Sequence, residues 1–430
     1  MNNKLIGILI IITINCGILS GCLGQENHIN KKPSIEITHP QNGMIISNFV
    51  LISGNASDPD GNNTLVNVQI KIDNGTWNTA DGTTKWNYSW TTYSVNNSAH
   101  NITVRSWDGS CFSNVESIII EVMNPKSVEL NTHKWAVFII AANFPKENSS
   151  KLGNGGLFLA ENMTTFFIEN LSYSTSNIII LFDDGWIRSD NGYGKPIETL
   201  QQRFHKYNVT YGSATKQNVT ETLQQVVEES NQFDDSEVFI WIFNHGYGDD
   251  SKPITGGKIL QHSIVSLWDA ALSDQELGNM LMNLKSNKAC IIVDACYSGG
   301  FADKTIYNLP EFFLLNSGIA KPGRIVISGT SKFRVGYAIT TLGPIFSLIW
   351  FEALKTGYAD GFKPGFLHMG TPPILNEFKD GKTSVEEAFY YTCFVLRKDR
   401  ALLNFKMMEP QMNDQYPEKG PLNNLGDMIL

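Results

Sequence analysis

The sequence predicts two domains of different class, an all-β sandwich followed by an α/β domain whose mostly parallel sheet is flanked by helices. Three observations carry this expectation. Between Pro33 and Asn124, short alternating strands recur between turn clusters with no helical period. From Trp135 onward, apolar strands alternate with helical stretches, as in a parallel sheet held between helix layers. Two glycine-bearing strings, Asn244-His245-Gly246-Tyr247-Gly248 and Asp294-Ala295-Cys296-Tyr297-Ser298-Gly299-Gly300, each follow directly on an apolar, β-branched run.

The N-terminus reads as a targeting segment. Lys4 precedes a mostly apolar stretch from Leu5 to Leu19, and Leu19-Ser20-Gly21-Cys22 closes it with small residues. Those last four residues resemble a lipobox, so residues 1–22 are expected to be a signal peptide and Cys22 the lipidated mature N-terminus. Ordinary cleavage and an uncleaved anchor are the alternatives, the latter disfavoured because the run is short for a spanning helix. Residues 23–32 are polar and form a tether. The expected location is therefore extracytoplasmic, at a cell surface, lipid-anchored to the membrane.

The sandwich spans residues 33–124. Ile35 and Ile37 alternate, as do Val66, Val68, Ile70 and Ile72, and later Ile118, Ile120 and Val122, with turns such as Asp58-Pro59-Asp60-Gly61 between them. No residue in it is a candidate for catalysis. A linker covers 125–133, and the α/β domain runs over 134–430. Its expected strands lie at 135–142, 177–182, 237–243, the run ending at Asp294, and 324–328. Helices are expected at 156–171, 220–230, 344–356 and 384–397. Ser273-Asp274-Gln275-Glu276 and Ser384-Val385-Glu386-Glu387 each read as a capping box that opens a helix.

Whole-chain properties narrow the function. The formal net charge of -9 and pI near 5.4 argue against a nucleic-acid binder, which would normally show a basic face. Of six cysteines, Cys111, Cys290, Cys296 and Cys393 remain once Cys16 leaves with the signal and Cys22 is capped, with no CxxC spacing. Cys290 starts the strand that feeds Cys296 and is expected to fill core. No zinc-type cluster is present, and the acidic pairs Asp183-Asp184, Asp234-Asp235 and Asp249-Asp250 are too scattered for a calcium motif. No cofactor is expected. Gly153-Asn154-Gly155-Gly156 stands too far beyond its strand for a phosphate loop and reads as a connection into a helix. Eleven asparagines begin Asn-x-Ser/Thr: Asn55, Asn62, Asn74, Asn87, Asn96, Asn101, Asn148, Asn162, Asn170, Asn208 and Asn218, with none beyond.

The two strings carry the chemistry. A strand followed by a glycine turn places one histidine and one cysteine at the rim of a sheet, where open parallel sheets form ligand crevices. A thiol and an imidazole meeting there make a nucleophile and its base. The thiolate attacks an amide, and a bare Gly246 lets backbone N–H groups approach the developing oxyanion. His133, His205, His262 and His368 lack this context and read as surface or loop residues.

A strand-His-Gly and a strand-Asp-Ala-Cys-x-Ser-Gly, with His245 lying 51 positions before Cys296, resemble the caspase-hemoglobinase superfamily of cysteine peptidases, in its legumain-like and metacaspase-like branches. The segment 33–124 resembles immunoglobulin-like modules of bacterial and archaeal surface proteins, on pattern and turns alone. The resemblance covers about residues 134–416, including Glu409-Pro410-Gln411-Met412. It implies a caspase-like fold, a polypeptide substrate, Cys296 as nucleophile, His245 as base, and the amides of Gly246 and Cys296 as oxyanion donors, working as a dyad. It places Asp294, Ser328 and Arg334 around the S1 pocket. A carboxylate at Asp294 attracts a basic P1 residue, whereas legumain-like relatives with an acid there take asparagine, and an inward Arg334 would spoil a basic pocket. Some relatives need calcium, and some self-process at loops such as 186–215 and 247–272. A transamidase with the same dyad and a non-catalytic peptide-binding adhesin are the rival readings.

Overall fold

The computed structural model describes residues 29–143, 151–248, 262–286, 288–304, 316–362, 379–398, 408–417 and 427–430. The signal peptide, Cys22 and most of the tether lie outside the described residues, as do Asn148, Asp249-Asp250, His368 and the first part of the 247–272 loop. Among the described residues, no helix is long and apolar enough to cross a membrane, and no cluster of three His, Cys, Asp or Glu stands ready to hold a metal.

The chain forms two compact units that divide between Met123 and Asn124. In the first, a sheet built on Ser34–His39, Phe49–Ser57 and Lys85–Thr91 faces one built on Asn67–Ile72, Ala99–Trp107 and Glu116–Val122. Alternate residues point inward, so Ile52, Val68, Ile70, Trp86, Ile102, Val104 and Ile120 close one core. This is the all-β sandwich that the alternation implied.

The second unit is three-layered. Its sheet comprises β1 (Lys134–Ala141), β2 (Ile178–Phe182), β3 (Thr210–Gly212), β4 (Glu237–Asn244), β5 (Lys288–Asp294), β6 (Arg324–Ser328) and β7 (Gln411–Asp414). The order is β3-β2-β1-β4-β5-β6-β7; all neighbours are parallel except the antiparallel β6-β7 pair. The helices are α1 (Gly155–Asn170), α2 (Lys216–Ser230), α3 (Asp274–Met280), α4 (Ile345–Thr356) and α5 (Val385–Lys398). Because side chains alternate along a strand, Phe138, Phe239 and Trp241 pack under α1, α4 and α5, whereas Val137, Ile240 and Ile291 pack under α2 and α3. Central strands buried on both faces read as continuous apolar runs, which is why β1, β2, β4 and β5 were visible in sequence.

Both capping boxes form. Glu276 N donates to Ser273 Oγ at 3.2 Å while Ser273 N donates to Glu276 at 2.8 Å, and Ser384 and Glu387 make the same exchange. The α2 helix begins four residues before the expected start, capped by Thr215. The stretches 186–215 and 247–272 contain structure of their own among the described residues: a hairpin of Trp186–Arg188 with Pro196–Thr199, and a small sheet of Gly246–Gly248, Ser263–Ser266 and Ala271–Ser273. His205 is not a surface residue. It is buried, stacked on Tyr211 with centroids 3.8 Å apart, and its ring nitrogens face Glu161 and the Leu200 carbonyl.

Candidate active site

The sheet order reverses direction between β1 and β4, and crevices form at the carboxyl ends of strands beside such a point. Phe243 of β4 and Asp294 of β5 are register partners. His245 and Cys296 each follow two residues later, so both side chains leave adjacent strand ends in the same sense. They line one small cavity with Asp294, Leu152, Gly336 and Tyr337.

The cysteine sits on a tight turn held by several hydrogen bonds. Tyr297 takes a left-handed conformation (φ 57°) that swings the chain from β5 into the short helix Ser298–Ala302. Thr330 Oγ1 donates to the Ala295 carbonyl at 2.8 Å and accepts from Ser298 N at 3.1 Å. Ser263 Oγ donates to the Tyr297 carbonyl at 2.5 Å and accepts from Gly300 N at 2.9 Å. Tyr297 N donates to the Arg334 carbonyl at 2.7 Å. Thr330, Ser263 and Gly336 escaped the sequence reading, because a single hydroxyl or glycine in a loop has no pattern to mark it.

Gly336 N donates to Cys296 Sγ at 3.2 Å. Burial pushes the thiol above its ordinary range and the Asp294 charge adds to this, while the Gly336 N–H works in the opposite sense. Residues 336–338 line the same cavity as the thiol. The chain around them alternates: Phe333, Val335, Tyr337 and Ile339 face solvent, while Arg334, Gly336 and Ala338 are drawn inward.

The proposed S1 residues are not all brought together. Asp294 lies in the cavity wall, 2 % exposed, and its Oδ2 accepts from Ser347 N at 3.0 Å and Ser347 Oγ at 2.7 Å in the first turn of α4. Ser328 is buried with its hydroxyl on the Thr330 carbonyl. The Arg334 guanidinium points to Glu409 at 3.4 Å. Neither Ser328 nor Arg334 lines the cavity.

Residues 33–104 match the family model described as a bacterial Ig domain, and residues 133–340 the one described as a caspase domain. The chain thus has an Ig-like all-β domain followed by a caspase-like α/β domain. Among solved structures, the chain is similar to caspase-1 from Spodoptera frugiperda at 11% identity, covering 67% of this chain and 92% of that one with a TM-score of 0.35. It is also similar to an endo-beta-1,4-mannanase from Thermotoga petrophila at 16% identity, covering 23% of this chain and 21% of that one with a TM-score of 0.20. The chain thus spans about a fifth of the mannanase. No curated protein matches. A caspase domain belongs to a cysteine-peptidase family, and such a domain implies a polypeptide substrate.

Two expected results follow from the geometry of the caspase domain. A Cβ at Gly246 would stand 2.0 Å from the Cys296 carbonyl oxygen, a contact that backbone must move to relieve. Gly246→Ala is therefore expected to displace the two strand ends and lower turnover about 10²-fold, the size of effect that a misplacement of about 1 Å can produce. Unchanged kcat/KM in this variant would remove the close approach from the argument.

The second concerns pH. Burial pushes the Asp294 carboxyl up to about 6 from 3.8, a rise only partly offset by the Ser347 donors. A carboxyl raised in the folded state holds its proton longer folded than unfolded. Its contribution is thus complete below about pH 4 and lost as pH climbs through about 6. Asp294→Asn is expected to reduce the fall in Tm between pH 4 and pH 7; a variant with the full wild-type slope would show that this carboxyl is not its source.

Proposed function

We propose that the caspase domain is a cysteine endopeptidase that cleaves polypeptides through Cys296 and His245 by way of a thioester, held at the outer face of a membrane by a lipid on Cys22. The observation that supports this reading is that Cys296 and His245 follow adjacent strand ends and line one cavity.

The chemistry follows from the parts. His245 takes the thiol proton as Sγ leaves Gly336 and attacks the scissile carbonyl. The N–H groups of Gly246 and Cys296, on chain segments in contact, receive the oxyanion. His245 returns the proton to the leaving amine, and water then hydrolyses the thioester. The buried Asp294 carboxylate in the cavity wall favours Lys, Arg or Asn at P1, and the Arg334–Glu409 pair keeps the opposing cation engaged elsewhere.

A P1-diverse fluorogenic peptide library, presented to the full chain with and without an added amine, tests the reading. Hydrolysis after Lys, Arg or Asn is the expected result. Incorporation of the amine would make the enzyme a transamidase. Silence with and without calcium, together with no labelling of Cys296 by a thiol-directed acyl probe, would leave a peptide-binding adhesin.

A further inference from the structure

The Asn-x-Ser/Thr triplets take no part in the proposed catalysis, yet they are neither random in sequence nor random in space. Residues 1–218 hold 29 asparagines, of which 11 begin such a triplet. At the serine and threonine content of that stretch, about five would do so by chance. The 12 asparagines beyond Asn218 begin none.

Their placement is as selective. Among the described residues, Asn55, Asn62, Asn74, Asn96 and Asn101 are exposed on the Ig domain, and Asn87 is half-buried there. In the caspase domain, Asn162 and Asn170 are exposed on α1 and Asn208 just before β3. These elements flank β1 to β3, at one edge of the sheet, whereas β4 to β7 and α3 to α5 carry no triplet. The candidate site lies at the ends of β4 and β5, in the unmarked half. A bulky oligosaccharide on that half would obstruct the approach of a polypeptide chain.

We infer that this protein is N-glycosylated, with oligosaccharide on the amides of Asn74, Asn96 and Asn101 of the Ig domain and of Asn162 and Asn170 on α1 of the caspase domain, and with the active-site half left bare. The reacting group is the carboxamide nitrogen, which displaces a lipid-linked pyrophosphate from the sugar's anomeric carbon; a glycosidic C–N bond forms, a C–O bond breaks, and the amide loses one proton. Among the described residues, the side-chain amides of Asn74, Asn96, Asn101, Asn162 and Asn170 find no hydrogen-bond partner and are exposed. Asn218 is the internal control. It is half-buried in the first turn of α2, and its Nδ2 donates to Ser213 Oγ at 2.8 Å and to the Ser213 carbonyl at 3.3 Å. It is assigned as unmodified.

The test is glycopeptide mass spectrometry on the full chain purified from the cells that encode it, with site occupancy read at every triplet. Occupancy above half at Asn74, Asn101 and Asn170 with Asn218 unmodified is the expected result. An Asn101→Gln form should then lose one glycan mass while keeping its thermal unfolding profile. Unmodified asparagine at all of these sites would overturn the inference, and so would glycan on Asn218 at the level of the exposed sites. Neither outcome bears on the Cys296 chemistry, which the peptide library reads separately.

Discussion

Cys296→Ala is expected to reduce peptide hydrolysis at least about 10³-fold while leaving the fold standing. Covalent catalysis fails without the sulfur, and water positioned by the remaining oxyanion donors gives only residual turnover. The structural cost is small for a specific reason. The Sγ accepts one N–H, from Gly336, and sits at a half-buried cavity wall that water can reach. The turn that carries the residue is held instead by Thr330, Ser263 and the Arg334 carbonyl, none of which bonds to the sulfur. A change in unfolding free energy below about 1 kcal/mol is expected. The measurement pairs kcat/KM on the best library substrate with urea denaturation. Retained hydrolysis in the alanine form would remove Cys296 from the mechanism, and loss of activity through loss of folding would show in the denaturation curve.

Arg324→Ala is expected to produce the reverse, a large loss of stability from a residue that touches no substrate. Arg324 is 2 % exposed at the start of β6. Its guanidinium donates to the carbonyls of Ile319 at 2.9 Å, Leu281 at 3.0 Å and Leu284 at 2.7 Å. Two of those acceptors lie just past the end of α3, where carbonyls lack helical partners and favour a cation. Burial pulls the guanidinium down to about 10, which leaves it charged at neutral pH. Alanine would strand the Ile319 and Leu284 carbonyls, leave Leu281 only the Leu284 N–H at 3.2 Å, and open a cavity at once, for about 3 to 5 kcal/mol. Arg324→Met separates the two effects by restoring volume without donors. A loss under about 1 kcal/mol in the alanine form would show that the carbonyls find other partners.

The two residues also mark how much of this protein could be read from the chain. Cys296 announced itself, because the chemistry of a strand-end cysteine followed by Ser-Gly-Gly is local, and its partner His245 sits in a string of the same form. Arg324 did not. Its three acceptors come from residues 281, 284 and 319, and no short-range pattern records such a meeting. Asp294 was legible as a carboxylate beside the nucleophile, but its bond to Ser347 joins positions 53 apart. The small sheet around Gly246–Gly248 was also missed, since strands of three or four residues are too short to show a period.

What the sequence by itself determined is the order of domains, the parallel sheet and the two strand ends that bear His245 and Cys296. Each rests on periodicity or turn chemistry within a few residues, and burial on both faces of a strand forces a continuous apolar run. Only the tertiary structure decided which loop lines the cavity with the thiol, that Arg334 turns to Glu409 rather than into the cavity, and that one edge of the sheet carries the exposed asparagines. Those outcomes depend on which distant segments come into register across the sheet, and packing between residues tens of positions apart leaves no trace in the local order of the chain.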